Sequence, residues 1–264
     1  MILYGRNPVR EALRGRRSQS VTELWATSGA AREPWLEGLA VRIAQAEQIE
    51  RRCGSAAHQG ICADAGSFPY AGSAELLARP EPLIVALDQI QDPQNLGSIA
   101  RTAECAGAAG LIITERRAAE ITPAACKASA GAVEHLPVAR VRNMADFLAD
   151  ARRAGCWCYG ASAPAARAGP AGRDASRGEG AASGGDRAAS VGKGAPIAYD
   201  EPDYRGGGVV LVLGSEGSGL RPRVAAACDQ LIALPKRGRI DSLGVSAAAA
   251  ALLYEILQNR TRSA

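Results

Sequence analysis

The stretch LIVALDQIQDPQNLGSIARTAECAGAAGLIIT, residues 83–114, decides the architecture. It opens on LIVALDQI, 83–90, continuously apolar through Leu87, which reads as a strand buried on both faces. Asp92-Pro93 turns the chain, and residues 92–107 read as a helix whose Ile99, Ala103 and Ala106 can face a sheet. A second apolar run at 109–114 follows. Strand, helix and strand in so short a span form a βαβ unit and predict a parallel sheet. Asn95 stands at the helix start, where asparagine often caps exposed N–H groups, and Arg101 lies six residues on among small and apolar neighbours.

Working outward, VARV (138–141), CWCYGAS (156–162), VVLVLG (209–214) and QLIALP (230–235) predict further strands. Residues 245–260 form a helix of high propensity. Upstream, residues 1–4, 21–27 and 58–65 read as strands and 35–53 as a helix, a small α/β unit. Asn7 is expected to cap the first helix, with Pro8 as its first residue. The Gly- and Pro-containing stretch 66–82 reads as a connection. The organisation expected is therefore an N-terminal domain over 1–70, a linker over 71–82 and a second domain over 83–264. Residues 163–195 hold mostly Ala, Gly, Ser and Arg, too little apolar surface to offset ordering entropy. They are expected to be a disordered insertion.

Composition narrows the function classes. The 264 residues carry a formal net charge of +4, which permits a nucleic-acid partner without requiring one. The seven cysteines form no C-x-x-C pair and there are only two histidines, so zinc spacing is absent and no metal is expected. Scattered, odd-numbered cysteines suit reduced thiols, and no apolar run reaches the length of a membrane span. A cytoplasmic protein with no membrane partner is the expectation. Cys156 and Cys158 flank Trp157 in a strand, should share one face, and read as core.

The strand at 209–214 empties into GSEGSGLRP, a glycine turn with a carboxylate, Glu216, inside it. The spacing Gly214-x-x-Gly217-x-Gly219 is not that of a dinucleotide fingerprint, and no Gly-Lys-Ser/Thr follows as a phosphate loop requires. The last motif, LPKRGRIDSLGVS (234–246), places Lys236, Arg237 and Arg239 before Ser242-Leu243-Gly244 and the final helix. Ser242 or Ser246 can cap that helix.

D-P-x-N-x-G with a following Arg, G-x-E-G-x-G, and a serine-leucine helix start, in this order, resemble the signature set of the SpoU (TrmH-like) family of SPOUT RNA ribose methyltransferases. The resemblance runs from residue 83 to about 259, the insertion apart. YGRNPVREAL (4–13) and AHQGICA (57–63) are similar to the N-terminal substrate-binding domain of one branch, the bacterial 23S rRNA guanosine-2′-O-methyltransferases. It implies an α/β protein whose C-terminal parallel sheet carries a trefoil knot, an exception to the rule against knotted chains, beside a small N-terminal α/β domain. The implied activity is methyl transfer from S-adenosylmethionine to a ribose 2′-hydroxyl, most directly of a 23S rRNA guanosine. tRNA ribose methylation and a catalytically inactive RNA-binding assembly factor are the alternatives. A homodimer is implied.

The resemblance carries roles onto single residues. Gly214, Leu234 and Leu243 line the cofactor pocket, and Asn95, Arg101, Glu216 and Ser242 are the catalytic set. The family's arginine at this position is sometimes described as the base. Because arginine normally keeps its proton in proteins, Arg101 is expected instead to bind the neighbouring phosphate and stabilise the developing alkoxide. A desolvated, perturbed Arg101 acting as base is the alternative. A cofactor bearing a sulfonium and no phosphate explains a carboxylate in a glycine turn. Lys236, Arg237 and Arg239 are the expected RNA phosphate contacts, with Arg14, Arg16 and Arg17 as further candidates. The family's S-L-N is Ser242-Leu243-Gly244 here, so one amide side chain is missing.

Overall fold

The computed structural model describes residues 1–162, 195–238 and 243–262. The expected insertion therefore lies outside the described residues, Ala195 excepted.

The N-terminal part is a four-stranded sheet. In chain order it contains β1 (Ile2–Tyr4), α1 (Arg6–Arg14), β2 (Glu23–Ala26), β3 (Val41–Ile43), α2 (Ala46–Cys53) and β4 (Ile61–Asp64). The sheet order is β1-β4-β2-β3, antiparallel except for the β2–β3 edge pair. Two sequence expectations fail here. Residues 35–53 are not one helix: a 3₁₀ turn over Pro34–Leu36 leads into strand β3, and only Ala46–Cys53 are α-helical. Gly38 has φ +79, which breaks a helix, and the branched residues of β3 suit a strand. Asn7 does not cap α1. Gly5 does, and Asn7 and Pro8 lie inside the first turn, where a proline lacking N–H costs nothing.

Residues 66–82 carry more structure than a plain connection. Phe68 is buried, α3 (Ser73–Leu77) buries Leu76, and Ala71 makes a bridge to Ala139.

The second sheet follows the βαβ expectation. Its strands are β5 (Leu83–Asp88), β6 (Gly110–Thr114), β7 (Val138–Val141), β8 (Cys156–Ser162), β9 (Ile197–Ala198), β10 (Gly208–Gly214) and β11 (Gln230–Ala233). The helices between and after them are α4 (Pro93–Cys105), α5 (Pro123–Ala128), α6 (Met144–Arg153), α7 (Pro222–Ala227) and α8 (Val245–Thr261). The order is β7-β6-β5-β10-β8-β11-β9, every pair parallel. Odd residues of β5 (Leu83, Val85, Leu87) join one core with Ile99 and Ala103 of α4 and Leu252, Leu253 and Ile256 of α8. Even residues (Ile84, Ala86) join another with Phe147 and Leu148 of α6 and Val224 of α7. Helices thus cover both faces, which is why the central strands are apolar without alternation. Cys156 and Cys158 are buried and Trp157 is 42% exposed, as the alternation predicts.

The cap of α4 is Asp92, not Asn95. Its carboxylate accepts from the N–H groups of Gln94 (3.0 Å) and Asn95 (3.3 Å), and Pro93 takes the first helical position. Asn95 is thereby freed of a capping role.

The two parts meet around Arg17. Its guanidinium is buried and donates to both carboxylate oxygens of Glu134, from Nε at 2.8 Å and from Nη2, with the Phe68 ring 5.3 Å away. Arg17 was a candidate phosphate contact. At 1% exposure it cannot be one. Arg14 and Arg16 remain exposed.

Candidate functional site

Strands β5, β8, β10 and β11 end at one edge of the sheet, the carboxyl side at which open parallel sheets bind ligands. Gly214 and Asp88 are paired at that edge. Beyond Gly214 the chain doubles back. Ser215 and Gly219 form an antiparallel bridge, the Gly219 N–H donates to the Ser215 carbonyl at 2.9 Å, and the Ser215 and Ser218 hydroxyls meet at 2.6 Å. This closure demands glycine at 214. A Cβ there would lie 2.1 Å from the Gly219 carbonyl carbon and 2.3 Å from the Leu220 nitrogen.

Asp88 anchors the loop from below. Its carboxylate is buried and accepts from the Arg221 backbone N–H (3.0 Å) and from Arg221 Nε (2.9 Å), with Nη2 at 2.6 Å from Oδ1. A buried carboxylate is retained only when paired and hydrogen-bonded. Here the pairing ties the end of β5 to the loop of β10. Sequence reasoning passed over both residues. The available signal was an acid closing the apolar run LIVALD.

The loop forms one wall of a cleft of about 560 Å³. Gly214 and Glu216 line that wall, Leu234 and Lys236 the wall after β11, and Leu243 and Gly244 the start of α8. Ala161, Val245 and Leu252 complete an aliphatic floor. Gly244 has φ 78 and ψ 143, a combination that side chains strongly resist. A Cβ at this position would sit 3.8 Å from Glu216 Oε1, so the carboxylate faces the start of α8 directly.

The cleft thus offers backbone groups, aliphatic side chains and a carboxylate, with one lysine at its rim. It suits an amphipathic, partly cationic ligand better than a polyphosphate, because the carboxylate would oppose added negative charge. Gly214, Glu216, Leu234, Leu243 and Lys236 are brought together there. Asn95 and Arg101 do not line it. Asn95 is half-buried in the first turn of α4, beside the Asp88 edge, and Arg101 is exposed further along the same helix. Arg237 is exposed next to the cleft. Ser242 and Arg239 lie outside the described residues. Among the described residues no group of three or more His, Cys, Asp or Glu could hold a metal ion, and no helix is long and apolar enough to cross a membrane.

Comparisons with known proteins bear on this site. A model of the SpoU rRNA methylase family matches residues 82–254, and one for RNA 2′-O ribose methyltransferase substrate binding matches residues 2–71. A Bacillus subtilis protein, YacO, assigned to the TrmH family of tRNA/rRNA methyltransferases, is 33% identical over 98% of this chain and 95% of its own. The 23S rRNA (guanosine-2′-O-)-methyltransferase RlmB of Pseudomonas syringae is 32% identical over 98% and 96%. An AdoMet-bound rRNA methyltransferase from Sinorhizobium meliloti superposes with a TM-score of 0.71 at 25% identity, covering 97% of this chain and 86% of that one. The fold is also that of AviRb from Streptomyces viridochromogenes, with a TM-score of 0.73 at 22% identity over 98% and 89%.

Proposed function

Since the chain belongs to the SpoU rRNA methylase family, we propose that it methylates a ribose 2′-hydroxyl of RNA with S-adenosylmethionine as donor, and that the target is a guanosine of 23S rRNA. The observation that carries the proposal is the cleft at the carboxyl edge, with Glu216 set in a glycine turn opposite Gly244. When bound, S-adenosylmethionine supplies a methyl group activated by its sulfonium charge.

The chain's own residues take the remaining tasks. Gly214 lets the backbone wall approach the ligand closely, and Leu234, Leu243 and Leu252 provide apolar surface for a purine. Glu216 favours a cationic centre over an anionic one. Arg101, which keeps its proton, holds the phosphate beside the target ribose and offsets negative charge building on the 2′-oxygen. Asn95, with Asp92 capping the helix, is available to orient that ribose, and Ser242 belongs to the same set. Lys236, Arg237 and Arg239 take RNA phosphates. The backbone knot belongs to the same proposal.

Pairing of two copies is also part of this reading. Ala247, Ala251 and Tyr254 fall on the outer face of α8 at helical spacing, all exposed, with Tyr254 at 44%. A second copy of the chain would cover this strip.

The 23S assignment draws support from the RlmB relative and from the N-terminal match. A tRNA substrate is the second reading, favoured by the relative assigned to both tRNA and rRNA. The deciding experiment is methyl transfer from labelled S-adenosylmethionine to unmodified 23S rRNA and to tRNA, with Arg101→Ala as control. The product is mapped by resistance to alkaline cleavage, which needs a free 2′-hydroxyl. One protected ribose in 23S rRNA, lost in the variant, is the expected result. Transfer to tRNA alone selects the second reading. Cofactor-free RNA binding with no transfer selects an inactive assembly factor.

A further inference from the structure

The loop that follows β6 runs Glu115-Arg116-Arg117-Ala118-Ala119-Glu120 and presents two arginines that no carboxylate among the described residues claims. Arg116 and Arg117 are exposed, and neither is ion-paired among the described residues. The loop's own acids are engaged elsewhere, Glu115 with Arg142 (3.9 Å) and Glu120 with Arg140 (3.4 Å). Counting all six charged groups, four arginines face two glutamates.

The loop is a built structure. The Thr114 hydroxyl donates to the Arg116 carbonyl at 3.0 Å, and the Glu115 N–H to the Val141 carbonyl at 2.9 Å. The Ala119 N–H donates to the Ile90 carbonyl at 2.7 Å, in the turn that starts α4. The Ile121 N–H donates to the Tyr70 hydroxyl at 3.0 Å, and Arg140 stacks over the Tyr70 ring at 4.3 Å. Arg117 itself has φ 56. A side chain in the left-handed region costs on the order of 1 kcal/mol and persists where the surroundings hold it. An arginine held there, unpaired, points to a use outside the fold.

Position supplies the use. Ile113 pairs with Leu87 and Asp88 with Gly214, so β6, β5 and β10 end level with one another. At about 4.8 Å between neighbouring strands, the arginine loop leaves the sheet roughly 10 Å from the loop carrying Glu216. Between them lies the start of α4 with Asn95. On its other side the loop is held by Tyr70, at the end of the segment matched as substrate-binding.

We propose that Arg116 and Arg117 form a phosphate clamp that takes the RNA backbone as it passes from the N-terminal domain to the cofactor cleft. The inference rests on the RNA methyltransferase reading and adds to it a second contact region, separate from the cleft's rim. Guanidinium forks suit phosphate oxygens, and such contacts position the strand without reading its bases.

The test is binding of a fluorescently labelled single-stranded oligoribonucleotide, by anisotropy, across a salt series. The variant Arg116→Gln with Arg117→Asn removes both charges, and asparagine tolerates the left-handed conformation. Each phosphate contact to a single strand contributes about 0.7 to the slope of log affinity against log salt, so the slope should fall by about 1.4. Affinity at low salt should fall roughly tenfold or more. Arg116→Lys with Arg117→Lys should keep the slope. S-adenosylmethionine affinity, measured by calorimetry, should be unchanged in both. An unaltered slope and affinity in the neutral variant overturns the clamp and leaves the methyltransferase reading intact. Wild-type protein that binds cofactor but no RNA overturns both.

Discussion

Asp88 and Arg221, 133 residues apart, form the joint that sets the glycine loop over the end of the sheet. The buried carboxylate takes the backbone N–H, Nε and Nη2 of one residue, so the loop's exit is fixed in both position and direction. Arg221→Ala leaves a buried oxygen short of its partner, at a cost of about 1–3 kcal/mol. We expect a lower denaturant midpoint together with weaker S-adenosylmethionine binding by calorimetry. Arg221→Lys keeps charge without the fork and should fall between. Lost stability with unchanged cofactor affinity would show that the joint supports the fold alone.

Gly244 turns a missing family side chain into a backbone question. At φ 78 and ψ 143 it holds a conformation suited to glycine, directly opposite Glu216. Gly244→Asn restores the family residue, yet strain of roughly 1–3 kcal/mol opposes any side chain here. We therefore expect Gly244→Asn and Gly244→Ala both to weaken cofactor binding, and neither to raise kcat/KM. A gain in kcat/KM for the asparagine variant alone would show that this turn relaxes and that the amide was what the chain lacked.

The βαβ core was legible because its signal is local. Buried parallel strands are continuous apolar runs, and 83–88, 110–114, 156–162 and 208–214 all appear as such. The cleft residues Gly214, Glu216, Leu234 and Leu243 were reachable through short motifs with fixed order. What escaped depends on distant partners. Nothing near Asp88 announces Arg221, and nothing near Arg17 announces Glu134, so one was overlooked and the other was misread as a surface cation. Residues 35–53 misled for a different reason. Their apolar spacing fits a helix, and one glycine followed by a three-residue edge strand is too short a signal to overrule it.

Thiol reactivity should follow burial. Desolvation pushes the Cys126 and Cys228 thiols up to about 12 and Cys62 up to about 11. A raised thiol pKa keeps the sulfur protonated, and it is the thiolate that reacts. In the native protein near pH 8, iodoacetamide should label exposed Cys105 first and half-buried Cys53 more slowly. Cys62, Cys126 and Cys228 should react only after denaturation. Peptide mass spectrometry reads the order, and early labelling of Cys126 would mean that the junction between the two sheets opens in solution.

That junction is the site of the last prediction. Arg17 and Glu134 are 1% and 0% exposed at their side chains and bind each other through two parallel hydrogen bonds. Removing one partner strands a buried charge, which costs about 3–5 kcal/mol. Arg17→Met and Glu134→Leu should each lower the unfolding midpoint sharply. The double variant replaces the pair with apolar volume and should recover most of the loss, since a buried ion pair and a packed apolar pair are often close in stability. If Arg17 served RNA, Arg17→Met would instead reduce the salt slope of RNA binding. Because its guanidinium is enclosed by Glu134, Phe68 and Met1, we expect that slope to be unchanged in the folded double variant, in contrast to the loss at Arg116 and Arg117.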